Sequence, residues 1–141
     1  MLDNSYSKLD MPAVNLVVIK IGTRILVDET GNIHYRRLSS IVKQVVQLKH
    51  AGKQVILVSS GAIGAGLRHL NMKTRPQLLP ELQMSASVGQ LHLMSHYQRY
   101  FAKKNCVISQ TLLTHEDLKD RTRHLNARNT LLTLLKNDVI P

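Results

Sequence analysis

A lysine closes an apolar run, Val17-Val18-Ile19-Lys20-Ile21-Gly22-Thr23, and a small-residue turn follows a second one, Val58-Ser59-Ser60-Gly61-Ala62-Ile63-Gly64-Ala65-Gly66. An ammonium flanked by Ile19 and Ile21 must reach solvent or an anion, because burying it unpaired carries a large desolvation penalty. Small residues between a strand and a helix leave backbone N–H groups free at the helix N-terminus, where aligned peptide dipoles favour a phosphate or a carboxylate. The glycine spacing is not diagnostic by itself. G-x-x-G-x-G differs from the dinucleotide pattern G-x-G-x-x-G, the P-loop pattern is absent, and close helix packing would explain the same glycines. Lys20 favours the anion reading. Together the two turns describe a phosphoryl-transfer site, in which the protein positions reactants and neutralises charge. Lys20 would face the transferring phosphoryl group, Gly22, Gly61 and Ala62 would offer N–H groups to oxygens, and the Ser60 hydroxyl would bond the acceptor.

The elements that must hold these residues follow from the apolar pattern. Val14 to Gly22 is β-branched and apolar with almost no alternation, as expected of a strand covered on both faces in a parallel sheet. Leu38, Ile41, Val42, Val45 and Leu48 recur at helical spacing until Gly52 supplies a left-handed stop. Gln54 to Ser59 is a second buried strand, running into the glycine turn and a helix to about Asn71. Pro76 and Pro80 bracket a loop, and Glu81 to about Lys104 is a long helix. Cys106 to Leu113 is predicted as a third strand, Asp117 to Asp120 as a polar connection, Leu125 to Lys136 as a helix and Val139-Ile140-Pro141 as the start of a fourth strand. Alternating strands and helices define an α/β chain with a mostly parallel sheet, whose ligands gather at the C-terminal ends of the strands. Residues 1–12 are expected to be a flexible leader, leaving 13–141 as the folded portion.

Composition limits the alternatives. The 141 residues, 43% of them apolar, suffice for one core, and a formal charge of +10 favours anionic partners. Neither the apolar runs nor the N-terminus fits a membrane span or a targeting segment. The single Cys106 excludes an internal disulfide and any Cys-based zinc site and suits a reducing compartment, so the cytoplasm is the expected location.

Five segments in order carry a resemblance: Val17 to Thr23, Val58 to Gly66, Ala86-Ser87-Val88-Gly89-Gln90, Gln110-Thr111-Leu112-Leu113-Thr114 and Leu125-Asn126-Ala127-Arg128-Asn129-Thr130-Leu131. The chain from about Val14 to Pro141 resembles the glutamate 5-kinase family of the amino acid kinase superfamily. The resemblance implies a three-layer αβα sandwich, and ATP-dependent phosphorylation of the side-chain carboxylate of L-glutamate, the first step of proline biosynthesis. By it Lys20 is catalytic and contacts ATP with Gly22 and Thr23, while Ser60, Gly61 and Ala62 bind glutamate. Leu125 to Leu131 would lie near the amino-acid pocket, with no individual roles for Arg121, Arg123 or Asn126. It also implies Mg²⁺ with ATP, although no metal ligand can be named here, and a homo-oligomer at full length. Family members continue past the position of Pro141 with further glutamate- and ATP-binding segments, so the fold is expected to be incomplete at its C-terminus and the isolated chain catalytically incomplete.

Rival functions are a kinase acting on acetylglutamate, aspartate or a nucleoside monophosphate, and a basic nucleic-acid-binding remnant. The latter is weakened because Arg36, Arg37, Arg68, Lys73, Arg75, Lys103 and Lys104 are scattered with little aromatic interleaving. His92 and His96 have zinc-pair spacing but no third ligand, so an exposed helix face is expected. Cys106 is expected to be a small hydrophobe at the start of a strand.

Overall fold

The structure, a computed structural model, describes residues 14–141, so the expected leader at 1–12 lies outside the described residues. Strand β1 (Leu16–Ile21) leads at once into a short helix α1 (Thr23–Leu26), then α2 (Tyr35–His50), β2 (Gln54–Ser59) and α3 (Ala62–His69). Helix α4 (Leu79–Ala102) follows, and α5 (His115–Lys119) and α6 (Arg121–Lys136) complete the order.

β1 and β2 pair in parallel from Leu16 opposite Gln54 to Ile21 opposite Ser59. Parallel strands need a crossover, and α2 supplies it. The amphipathic stripe of α2 buries Leu38, Val42, Val45 and Val46 in one core with Ile21 and Val55 of the strands and Leu93, Tyr97 and Phe101 of α4. The sheet face carrying Ile19, Ile21, Val55 and Leu57 therefore looks inward. The opposite face is open, with Val18 59% and Val58 45% exposed, which corrects the expectation of strands covered on both sides. A continuous apolar strand marks both faces as suited to burial, but among the described residues helices cover only one.

The predicted third and fourth strands shrink to a single parallel bridge between Ile108 and Ile140. Ser109 N–H donates to the Ile140 carbonyl at 2.9 Å, Ile140 N–H to Val107 at 3.0 Å, and Leu57 N–H to Pro141 at 2.9 Å, so Ile140-Pro141 lies between β2 and the 107–109 segment. A ladder extends only as far as its partner, and the chain beyond Ser109 has no strand partner among the described residues; Leu112 is 75% exposed. The polar connection at Asp117–Asp120 is instead mostly helical. Thr114 and Asp117 form a capping box that starts α5, and the Asp120 carboxylate accepts from Arg123 N–H at 2.8 Å, starting α6 four residues before the predicted Leu125. Pro80 lies in the first turn of α4, where its missing N–H costs nothing. The α/β class and the parallel sheet stand as expected.

Candidate active site

The two motifs meet at the C-terminal ends of the paired strands. Ser60 N–H donates to the Ile21 carbonyl at 3.1 Å, which holds the β2 turn against the end of β1. Gly61 then turns the chain with φ +109°, a conformation that favours glycine, and becomes the N-cap of α3. The Ala65 N–H is the first in the helix to bond back, to the Gly61 carbonyl at 2.9 Å, so the donors of the first turn are left for a ligand or solvent. Thr23, Ser60, Gly61, Ala62 and Arg75 line one cavity of about 330 Å³ at this point.

The remaining glycines have a different role. A Cβ at Gly66 would fall on the Ser85 carbonyl, and one at Gly64 would come within 3.1 Å of Val27. These positions let α3 lie directly on α4 and on the end of the α1 segment. Ser85, wholly buried, fixes the approach by donating to the Ile63 carbonyl at 2.8 Å. Gly61 thus serves the turn, and Gly64 and Gly66 serve the helix contacts.

A second support comes from the loop between α1 and α2. Asp28 accepts from Thr30 N–H at 2.9 Å, Thr30 Oγ1 at 2.8 Å and Asn32 N–H at 2.9 Å. The Thr30 side chain, followed by the Asn32 backbone bond, pulls the Asp28 carboxyl down to about 2. Asn32 in turn accepts from Arg68 of α3 at 2.5 Å, so the loop grips the helix that carries the turn.

Lys20 pairs with Val58 in register and therefore stands on the open sheet face, exposed and without an ion pair among the described residues. Neither it nor Gly22 lines the cavity. The predicted residues thus divide into two groups: Thr23, Ser60, Gly61 and Ala62 come together, and Lys20 with Gly22 lies at the adjoining strand end. No residue of 125–131 lines the cavity. Arg75 was counted only among scattered basic residues, yet it reaches this wall. Pro76 favours extended backbone at Arg75, but no signal in the sequence places its side chain at this cavity.

Two expectations elsewhere are revised. His92 and His96 are half-buried instead of exposed, because His92 stacks on His69 with centroids 3.4 Å apart and His96 meets the Tyr35 ring edge at 5.1 Å. Cys106 opens no strand; its Sγ lies 3.4 Å from the Lys104 carbonyl.

A parallel α/β sheet thus brings a helix-capping turn and an exposed lysine to adjacent strand ends, where ligands of such sheets gather. Residues 15–141 match the amino acid kinase family, and the chain belongs to that family. It is 42% identical to glutamate 5-kinase of Moorella thermoacetica over 134 residues, 95% of this chain and 35% of that protein. It is 49% identical to glutamate 5-kinase 2 of Bacillus subtilis over 125 residues, 89% of this chain and 34% of that protein. The chain thus spans about a third of the length of these curated relatives.

Proposed function

We propose that the chain is the glutamate-side portion of a glutamate 5-kinase, which transfers the γ-phosphoryl group of ATP to the side-chain carboxylate of L-glutamate. The carrying observation is that Thr23 from the end of β1 and Ser60-Gly61-Ala62 from the end of β2 face one cavity. Identities of 42% and 49% to proteins named glutamate 5-kinase support the same substrate. The side-chain carboxylate attacks the γ-phosphorus, the bond to the β-phosphate oxygen breaks, and ADP leaves with its electron pair, giving an acyl phosphate.

Roles follow from chemistry. Ser60 Oγ and the N–H groups of Gly61 and Ala62 hold the amino acid, as oriented donors for its oxygens. Gly22 and Thr23 hold phosphate oxygens from the neighbouring strand end, and Lys20 offsets the charge of the transferring group. Its exposed ammonium, free of carboxylate partners among the described residues, suits an anionic triphosphate. Mg²⁺ would travel with ATP; no group of three His, Cys, Asp or Glu able to hold an ion occurs among the described residues, and no role here runs through it. Proline biosynthesis, assembly into a homo-oligomer and a cytoplasmic location come with the same reading. No helix among the described residues is long and apolar enough to cross a membrane.

The test is glutamate-dependent ADP formation, with the acyl phosphate trapped by hydroxylamine, by a chimera joining this chain to the C-terminal portion of the Bacillus subtilis relative. Turnover that needs L-glutamate and fails with Ser60→Ala supports the proposal. Turnover with acetylglutamate, aspartate or a nucleoside monophosphate in its place rejects it.

A further inference from the structure

We infer that Arg75 determines the specificity of this cavity, its guanidinium taking the carboxylate of the amino-acid substrate that does not react. This role rests on the acceptor reading above and adds which end of the substrate goes where. Arg75 is the one charged side chain lining the cavity, and no carboxylate of the described residues pairs with it. It stands exposed in the loop between α3 and α4. Met72 N–H closes the end of α3 onto the Leu67 carbonyl at 2.9 Å with Asn71 at φ +54°, and Pro76 then leads the chain towards α4, whose Ala86 lines the same cavity. The guanidinium fork matches a carboxylate through two parallel N–H···O bonds.

A 2-amino dicarboxylate offers two such groups, and chemistry chooses between them. A bidentate guanidinium draws electron density from the carboxylate it holds, which makes that carboxylate a poorer nucleophile towards phosphorus. Arg75 is therefore suited to the 1-carboxylate beside the amino group. The side-chain carboxylate is left to the turn and to the strand end, where Lys20 stands outside the cavity. Ligands lacking the 1-carboxylate lose this pairing and leave the guanidinium unmatched.

Calorimetric titration of the full chain with L-glutamate, 4-aminobutyrate, L-aspartate and β-alanine tests the assignment, using Arg75→Ala and Arg75→Lys. L-glutamate is expected to bind more tightly than 4-aminobutyrate, its analogue without the 1-carboxylate. Arg75→Ala should weaken L-glutamate by roughly 10- to 100-fold, the range of a charge-assisted bond, and leave 4-aminobutyrate unchanged. Arg75→Lys should restore part of the loss as a point charge. Undiminished L-glutamate binding by Arg75→Ala overturns the role of Arg75 and leaves the acceptor reading standing. Preference of the parent for L-aspartate over β-alanine, with no glutamate binding and loss of that preference in Arg75→Ala, sinks the glutamate reading and upholds Arg75. Binding of none of the four overturns both.

Discussion

Gly89 on α4 lies so close to Ala62 that a Cβ at Gly89 would fall on the Ala62 carbonyl oxygen. Ala62 opens α3 and lines the candidate cavity, so a helix far along the chain sets the position of this turn. The obstructing atoms are backbone and cannot rotate away. Gly89→Ala should therefore destabilise the chain by at least about 1–3 kcal/mol, the usual range for overpacking, seen as a lower thermal midpoint. Gly22→Ala is the contrast, since nothing lies within 4 Å of its added Cβ. Its thermal midpoint should not move.

Tyr97 makes a second link between α4 and the site. Its hydroxyl is 3.0 Å from Ser59 Oγ, one residue before Ser60, and burial pushes its phenol up while the Ser59 bond opposes the rise. The buried phenol stays neutral and can anchor the strand end at physiological pH. Tyr97→Phe should cost about 0.5–1.5 kcal/mol in denaturant unfolding and raise the glutamate KM of the chimera more than it lowers kcat.

Lys20 is exposed, so Lys20→Ala should leave folding intact. On the role proposed for it, loss of its charge should lower kcat by roughly 10²–10³-fold with little change in glutamate KM. Steady-state kinetics of the chimera provide the check, and an equal rise in KM with unchanged kcat would place Lys20 in ground-state binding instead.

Two pH effects have opposite origins and the same sign. Asp28 falls from 3.8 to about 2 through its loop hydrogen bonds, so its contribution is present above the unfolded value and fades as pH falls through the folded one. The stability gap between parent and Asp28→Ala should narrow between those limits. Burial, then His92 and Arg68, lowers His69; burial, then Arg99, His92 and His69, lowers His96. The unfolded chain then binds more protons below 6.5, so stability is full above that pH and declines as pH falls beneath it. Urea unfolding across this window should show a decline that is smaller in His69→Gln.

The sequence made some of this legible and hid the rest for identifiable reasons. α2 could be read because Leu38, Val42 and Val45 repeat along one face, and the Ser60-Gly61-Ala62 turn because small residues follow an apolar strand. The contacts of Gly66 with Ser85 and of Gly89 with Ala62 join distant residues, which no local pattern reveals. The segment from Cys106 had the composition of a strand, but pairing depends on a neighbour, and only Ile108 found one. Asp120 was an available N-cap that would have placed the start of α6 correctly. Arg75 carried no periodic signal at all; only the folded loop brings it to the cavity wall.

The most direct test is an amide NMR titration of the chain with L-glutamate. Saturable shifts centred on Ser60, Gly61 and Ala62, lost in Ser60→Ala and not reproduced by L-glutamine, are the predicted result. Unmoved amides at this turn, or equal shifts with L-glutamine, would contradict its role as the glutamate seat.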